Sequence, residues 1–315
     1  MKKCFVLLAV MIGLFAFVSK AQTKDPTHSD SLDIVHYDIN LRITDFVGKT
    51  ISGNVEMKML PKYSSFSLIR LDLLVMNIDS IKLNNLIVPS FSYNDTLLQI
   101  PLNTPVVTLD TMNVIVYYHG FPQEDPGASH WGGFKWSGNS AYNLGVGFEA
   151  NPHVFGRCWF PCIDDFVDRA TYDFYITVDS TLNHTAVCGG LLQSITENGD
   201  GTRTCHWKQS EKIPTYLASV AVGEYVCVSD TFQALNGPVP VQIWVKPSLE
   251  TKVWTSLPKL HEIFDAYEQK FGPYCWDRVG YVSVPFNSGA MEHASNIAYP
   301  EFCFTGTNAY ETLYG

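Results

Sequence analysis

Between residues 35 and 43 the chain alternates strictly: Val35, Tyr37, Ile39, Leu41 and Ile43 point one way, His36, Asp38, Asn40 and Arg42 the other. A period of two sends side chains to opposite faces of a strand, so this segment reads as a half-buried β-strand. A second follows, with Ile51, Val55, Met57 and Met59 opposing Ser52, Asn54, Glu56 and Lys58. Pro61 cannot donate to a ladder and ends it. Further β-prone runs cover residues 68–78, 81–88, 97–101, 114–118, 171–178, 186–188, 202–208 and 217–226. Short strands so spaced, with no helical period between them, imply antiparallel sheets and a mainly β fold. Asn198-Gly199-Asp200-Gly201 supplies a hairpin turn between two of them.

Residues 122–143 depart from this pattern, mixing Gly, Pro and Ser with His130, Trp131 and Trp136. They read as an irregular loop too aromatic for a solvated linker. A packed functional loop and one merely folded onto the domain surface fit equally well. Beyond residue 230 the pattern changes again. Residues 239–245 form a strand, and Leu257, Leu260, Phe264, Tyr267 and Phe271 then make one apolar helical stripe. Pro258 suits the first turn of that helix and Gly272-Pro273 its stop. A length of 315 residues fits two domains. The expected division is residues 1–21 as an export signal, 22–229 as an amino-terminal β domain, and 230–315 as a mixed α/β segment.

The export signal rests on Lys2-Lys3, an apolar core at residues 5–18, and small residues at Ser19 and Ala21 that place cleavage before Gln22. Roughly 14 apolar residues fall short of the about 20 that span a bilayer. Export to the periplasm, the cell surface or the medium all fit. Loss of Lys2, Lys3 and Lys20 takes the net charge from −10 to near −13, which argues against a nucleic-acid partner. The seven remaining cysteines are scattered without a C-x-x-C pair, against a zinc ribbon or disulfide framework. A cross-strand Cys188–Cys205 pair stays open, since export permits disulfides.

Neither a phosphate loop nor a dinucleotide fingerprint occurs. Ser288 does not sit in a G-x-S-x-G elbow. His261-Glu262 begins like the H-E-x-x-H zinc motif, but residue 265 is Asp, and His261 falls on the solvent side of its helix. The run from Gly156 to Asp165 reads as a stiff, packed connection around Pro161. Its Asp164-Asp165 pair offers calcium binding or acid–base work only as a second reading. Gly147-Phe148-Glu149-Ala150 puts one carboxylate beside small residues. Finally, Asn287-Ser288-Gly289-Ala290-Met291-Glu292-His293 follows the β-prone run 279–285. Its Gly-Ala pair admits another backbone and Glu292 presents an acid. A glycine bulge with a surface Glu and a pocket for a free amino terminus both fit these residues.

Taken in order, these segments resemble the zinc aminopeptidases of the aminopeptidase N type, from about residue 35 to the end. Arg157-x-x-Phe160-Pro161-Cys162-x-Asp164 is similar to their R-x-x-F-P-C-x-D segment, and Phe148-Glu149 to their F-E element. Tyr216-Leu217-Ala218 with Val222-Gly223-Glu224-Tyr225 resembles the strand closing their amino-terminal domain. Tyr267-Glu268 with Phe271-Gly272-Pro273-Tyr274 resembles a helix end, and Gly289-Ala290-Met291-Glu292-His293 the G-A-M-E-N exopeptidase motif. The resemblance implies a saddle-like antiparallel β domain followed by the start of a thermolysin-like α/β catalytic domain. It implies peptide substrates with a free amino terminus. Glu292 would bind the α-ammonium group, helped by Glu149, and Gly289 and Ala290 would hold the substrate backbone. Met291 and His293 complete the substrate-binding stretch. His293 replaces the family's Asn and would put a group titrating near neutrality beside Glu292. One zinc is implied for the full-length protein, but the family's H-E-x-x-H is absent from these 315 residues. No catalytic or metal residue is therefore expected in this chain, which should bind and not cleave by itself. The rival expectation is a secreted β-sandwich that binds peptides or glycans without catalysis.

Overall fold

The alternating amino-terminal segment forms β1 (Leu32–Asp45), antiparallel to β2 (Thr50–Pro61). The computed structural model describes residues 28–107, 110–127 and 130–314, so the expected export signal lies outside the described residues. β3 (Phe66–Asp72), β4 (Met76–Leu83), β5 (Leu86–Ile87), β6 (Ser92–Tyr93), β7 (Leu97–Val106) and β8 (Met112–Gly120) follow. Next come β9 (Phe134–Ser137), β10 (Ser140–Asn143), β11 (Ala170–Asp179), β12 (His184–Cys188), β13 (Leu191–Glu197), β14 (Thr202–Ile213) and β15 (Val220–Glu224). The last strands are β16 (Val226–Ala234), β17 (Gly237–Val245), β18 (Val279–Val284) and β19 (Ile297–Pro300). Three α-helices, α1 (Val253–Ser256), α2 (Leu260–Phe271) and α3 (Glu311–Tyr314), accompany them.

An eight-stranded sheet in the order β13-β14-β11-β1-β2-β8-β4-β5 carries the amino-terminal part. Its neighbours are antiparallel except β1 and β11, which run parallel. One face buries Tyr37, Ile39, Val55, Met57, Val116, Phe174, Ile176 and Trp207. The sheets β3-β7-β6 and β12-β15-β10-β9 close over the same apolar cluster with Ile69, Leu98, Ile100, Val187 and Val222. The fourth sheet, β16-β17-β18-β19, is parallel across β17, β18 and β19. Every residue of β18 is buried, as expected for a strand covered on both faces. Val282, Val284 and Ala298 face the large cluster, and Tyr281 and Tyr299 join a second cluster with Val241, Ile243, Leu260 and Phe264. Among the described residues no helix is long and apolar enough to cross a membrane.

Several expectations need correction. A register shift between Ile34 and His36 changes the phase of β1, so Ile34 is buried and Val35 only half-buried. The run 68–78 breaks between β3 and β4, where Val75 takes φ +48°. Residues 122–143 are not wholly irregular, since β9 and β10 form a hairpin within them. β10 is buried at all four positions, which erases the alternation that would have marked it. Leu257 and Pro258 separate α1 from α2, so Pro258 precedes the long helix. The stripe on α2 is only half covered: Leu260 and Phe264 are buried, but Phe271 is 81% exposed. Tyr267 and Phe271 instead line an open groove of about 500 Å³ with Phe232, Phe264, Tyr274 and Tyr314. Cys188 and Cys205 are both free and buried.

Candidate substrate-anchoring site

The chain leaves β18 at Val284 and returns to the sheet at β19, and the twelve intervening residues carry the Gly-Ala-Met-Glu-His stretch. Met291 anchors the turn by exchanging backbone hydrogen bonds with Ala298, at 3.0 and 2.9 Å. Extended alternation then sends Met291 and His293 inward and Glu292 outward. Gly289 takes φ +73°, a conformation that favours glycine, with a Trp131 ring 3.8 Å from where a Cβ would stand. The Glu292 carboxylate is exposed and has no partner among the described residues.

Glu149 reaches the same junction from the other side. The fully buried Asp125 carboxylate accepts backbone hydrogen bonds from Phe148 (2.7 Å), Glu149 (3.3 Å) and Ala150 (3.0 Å). Three converging N–H donors satisfy that charge and fix the turn that presents Glu149 to solvent. Trp131 bridges the two halves. Its ring centroid lies 4.7 Å from Phe148 and 5.3 Å from Phe286, and its Nε1 donates to the Ser288 carbonyl at 3.0 Å. The turn bearing Glu149 and the strand end bearing Glu292 thus meet on one indole.

Arg278 holds the far end of the turn. It is wholly buried and donates to the carbonyls of Cys188 (2.8 Å) and Ser295 (2.9 Å) and to Asn296 Oδ1 (3.2 Å). Its guanidinium lies 4.7 Å from the Trp207 ring centroid, which adds a cation–π contact. Burial pulls its pKa down to about 10, so it stays cationic at neutral pH. Asp125, Trp131 and Arg278 were not singled out by role from the sequence. Only the aromatic density around Trp131 gave a signal.

The structure overturns the titrating role expected of His293. Its ring is 2% exposed, and neither nitrogen finds a hydrogen-bond partner. Burial alone drives its pKa down to about 3, so it is neutral throughout the physiological range. Gly145, at φ +62°, makes room for it: a Cβ there would stand 3.2 Å from His293 Nε2. Met291 is likewise interior at 3% exposure. The side chains of Met291 and His293 therefore pack beneath Glu292 and do not line a surface with it.

The Arg157–Asp164 segment is structural. Arg157 Nη1 meets Asp164 Oδ2 at 2.8 Å, and the same carboxylate accepts the Gly156 and Arg157 N–H groups and the Thr215 hydroxyl. Burial pushes the Asp164 carboxyl up and the guanidinium opposes it. Asp165 accepts the Val167 and Asp168 N–H groups. His261 faces solvent, stacked on Phe232. No zinc set exists at the Trp131 junction among the described residues. Among the described residues, the one group of three His, Cys, Asp or Glu side chains close enough to share an ion is His36, Asp38 and Asp173, on the eight-stranded sheet.

A mainly antiparallel β domain followed by a mixed α/β segment is the architecture on which this junction sits, and comparison with known proteins specifies its family. Residues 34–217 match the Peptidase M1 N-terminal domain, and the chain belongs to that family as its amino-terminal part. Leucine aminopeptidase 2 of Vanderwaltozyma polyspora is 30% identical over 250 residues, covering 77% of this chain and 35% of the relative. Subunit 2 of transcription initiation factor TFIID from Danio rerio is 23% identical over 273 residues, covering 75% and 22%. The fold is that of an M1 zinc metallopeptidase from Deinococcus radiodurans solved with a Tyr-Ser-Ala substrate. That match has a TM-score of 0.77 at 24% identity and covers 89% of this chain and 62% of that one. The chain spans about a third of the length of the first of these relatives.

Proposed function

We propose that this chain is the amino-terminal portion of an exported zinc metalloaminopeptidase that removes residues from the amino ends of peptides. The observation that carries this reading is the Trp131 bridge, which brings the Glu149 turn and the Gly289–Glu292 strand end to one place. Both carboxylates are exposed there. A substrate α-amino group has a pKa of roughly 7.7–8, so it is largely cationic at neutral pH and suits two acids. Glu292 and Glu149 anchor the ammonium group, and Gly289 and Ala290 hold the first residues alongside the strand end. An anchor of that kind fixes cleavage at the terminus, because a blocked or internal amide brings no charge to it.

In the full-length enzyme that this reading implies, zinc would be held by residues other than those of the Trp131 junction. The role of Glu292, Glu149, Gly289 and Ala290 is to bind and orient the substrate, and activation of water would fall to the zinc. On this reading residues 22–229 are the amino-terminal β domain and residues 230–315 the beginning of the catalytic domain. Export rests on the sequence of residues 1–21 alone.

The test is Glu292→Ala in the full-length protein, assayed on an amino-acid arylamide. A hydrogen bond to a charged group is worth roughly 1.5–3 kcal/mol, so kcat/KM should fall about 10- to 150-fold with the fold intact. Unchanged kinetics would sink the assignment. The TFIID subunit match gives a second reading a foothold, since that relative is not named as a peptidase. On that reading the chain binds an amino terminus without cleavage, and the full-length protein would capture peptides and leave them whole.

A further inference from the structure

We propose that the outer face of the eight-stranded sheet holds a divalent transition-metal site of the zinc class, made by His36 and Asp38 of β1 and Asp173 of β11. The three side chains are neighbours by register, Asp38 standing directly opposite Asp173 and His36 opposite Thr171 on the parallel strand. His36 Nε2 lies 3.4 Å from Asp38 Oδ2 and 3.5 Å from Asp173 Oδ2. Those gaps are long for a charge-assisted hydrogen bond, which closes to about 2.7–2.9 Å. They match the edge of a tetrahedron around zinc, about 3.3–3.4 Å for ligands at about 2.0–2.1 Å.

The surrounding bonds orient each ligand. Thr171 Oγ1 lies 2.7 Å from His36 Nδ1 and 3.3 Å from the Val35 carbonyl, so this hydroxyl fixes the rotation of the ring. That contact turns Nε2 toward both carboxylates, with which it can form an ion pair through its proton or share a metal ion in the proton's place. Asp173 is held in turn: its Oδ1 meets His206 Nε2 at 2.5 Å, leaving Oδ2 toward His36, while His206 stacks on Tyr175. Such outer partners are what fixes the tautomer and aim of metal ligands.

The charges around the cluster point the same way. Glu56 stands directly opposite Asp38 on β2, so three carboxylates share one cross-strand row, an arrangement that destabilises a sheet. Lys208 stands opposite Asp173 at the end of that row and Lys58 opposite His36, but among the described residues the row's ion pairs come from His36 and His206 and not from either lysine. Imidazole with carboxylates favours zinc-class ions over magnesium. The site would pin β1 to β11, the parallel pair at the middle of the sheet.

The test is calorimetric titration of zinc chloride into the full chain, with magnesium chloride as the control and circular dichroism to verify folding. Wild type should bind zinc at micromolar concentration or tighter and gain thermal stability from it. His36→Gln and Asp173→Asn should each weaken that site at least tenfold and abolish the gain. Thr171→Val, which keeps every ligand but frees the ring, should weaken it by a smaller factor. If a ligand substitution unfolds the sheet, Asp38→Asn and Thr171→Val carry the comparison. Zinc affinity unchanged in the folded variants, or no wild-type binding below millimolar zinc, overturns the proposal.

Discussion

The Arg157–Asp164 segment and the Gly289–His293 turn carry equal weight in the family pattern, but they treat charge in opposite ways. In the first, a buried carboxylate is saturated by a guanidinium, two backbone N–H groups and a hydroxyl. In the second, the carboxylate faces solvent without a partner among the described residues, and the buried group beneath it, His293, is neutral and unsatisfied. A charge already matched within the protein has nothing left to offer a ligand. An unmatched acid on a rigid turn does, and the structure builds the rigidity from Trp131, Arg278 and the Met291–Ala298 bridge.

The contrast breaks most sharply in stability. Arg157→Ala strands the Asp164 charge in the interior and is expected to cost about 3–5 kcal/mol in urea unfolding. Glu292→Ala in the same assay should change stability by less than about 0.5 kcal/mol, as exposed positions do. Equal losses would erase the distinction between the two segments.

Acid sharpens it next. The His293 imidazole binds its proton near pH 6.5 in the unfolded chain and only near 3 in the fold. The unfolded state therefore takes up the proton first, and stability falls as pH drops from 6.5 toward 3, with little change above. Between pH 7 and 5 that amounts to ~2 kcal/mol. Asp168, pushed up to about 7 by burial, acts in the opposite sense, so the measure is wild type against His293→Asn. The variant should lose the acid slope; parallel curves would show that the ring is not enclosed. A smaller loss than at Arg157 or His293 belongs to Trp131→Phe, which keeps the aromatic contacts and removes the bond to the Ser288 carbonyl. A cost of about 0.5–1.5 kcal/mol in unfolding is expected, with a modest rise in KM on peptide substrates.

How much of this was legible depended on the range of the interaction. β1, β2, β8 and β11 announce themselves because one face is wet and the other dry, which writes burial into the sequence as alternation. β10 is dry on both faces and four residues long, and a local pattern cannot carry it. The exposed half of the α2 stripe fooled the same rule from the other direction, since apolar spacing does not say whether anything covers it. At the site, Glu149 and Glu292 were named through the family pattern. Asp125, Trp131 and Arg278 act on partners 23, 157 and 90 residues away, and no window of sequence reveals such pairs.

The parallel pairing of β1 with β11 has a consequence in time. His36 and Thr171 are 135 residues apart, and until the second is made one edge of the first strand has no neighbour. At synthesis rates of about 5–20 residues per second that interval lasts roughly 7–27 s. Through it the β1–β2 hairpin presents an unpaired, half-apolar edge, the kind of surface that recruits strands from other chains. The join at the middle of the largest sheet thus waits for a strand made long after its partner, and a nascent chain of this protein needs shelter at an edge that the finished molecule buries.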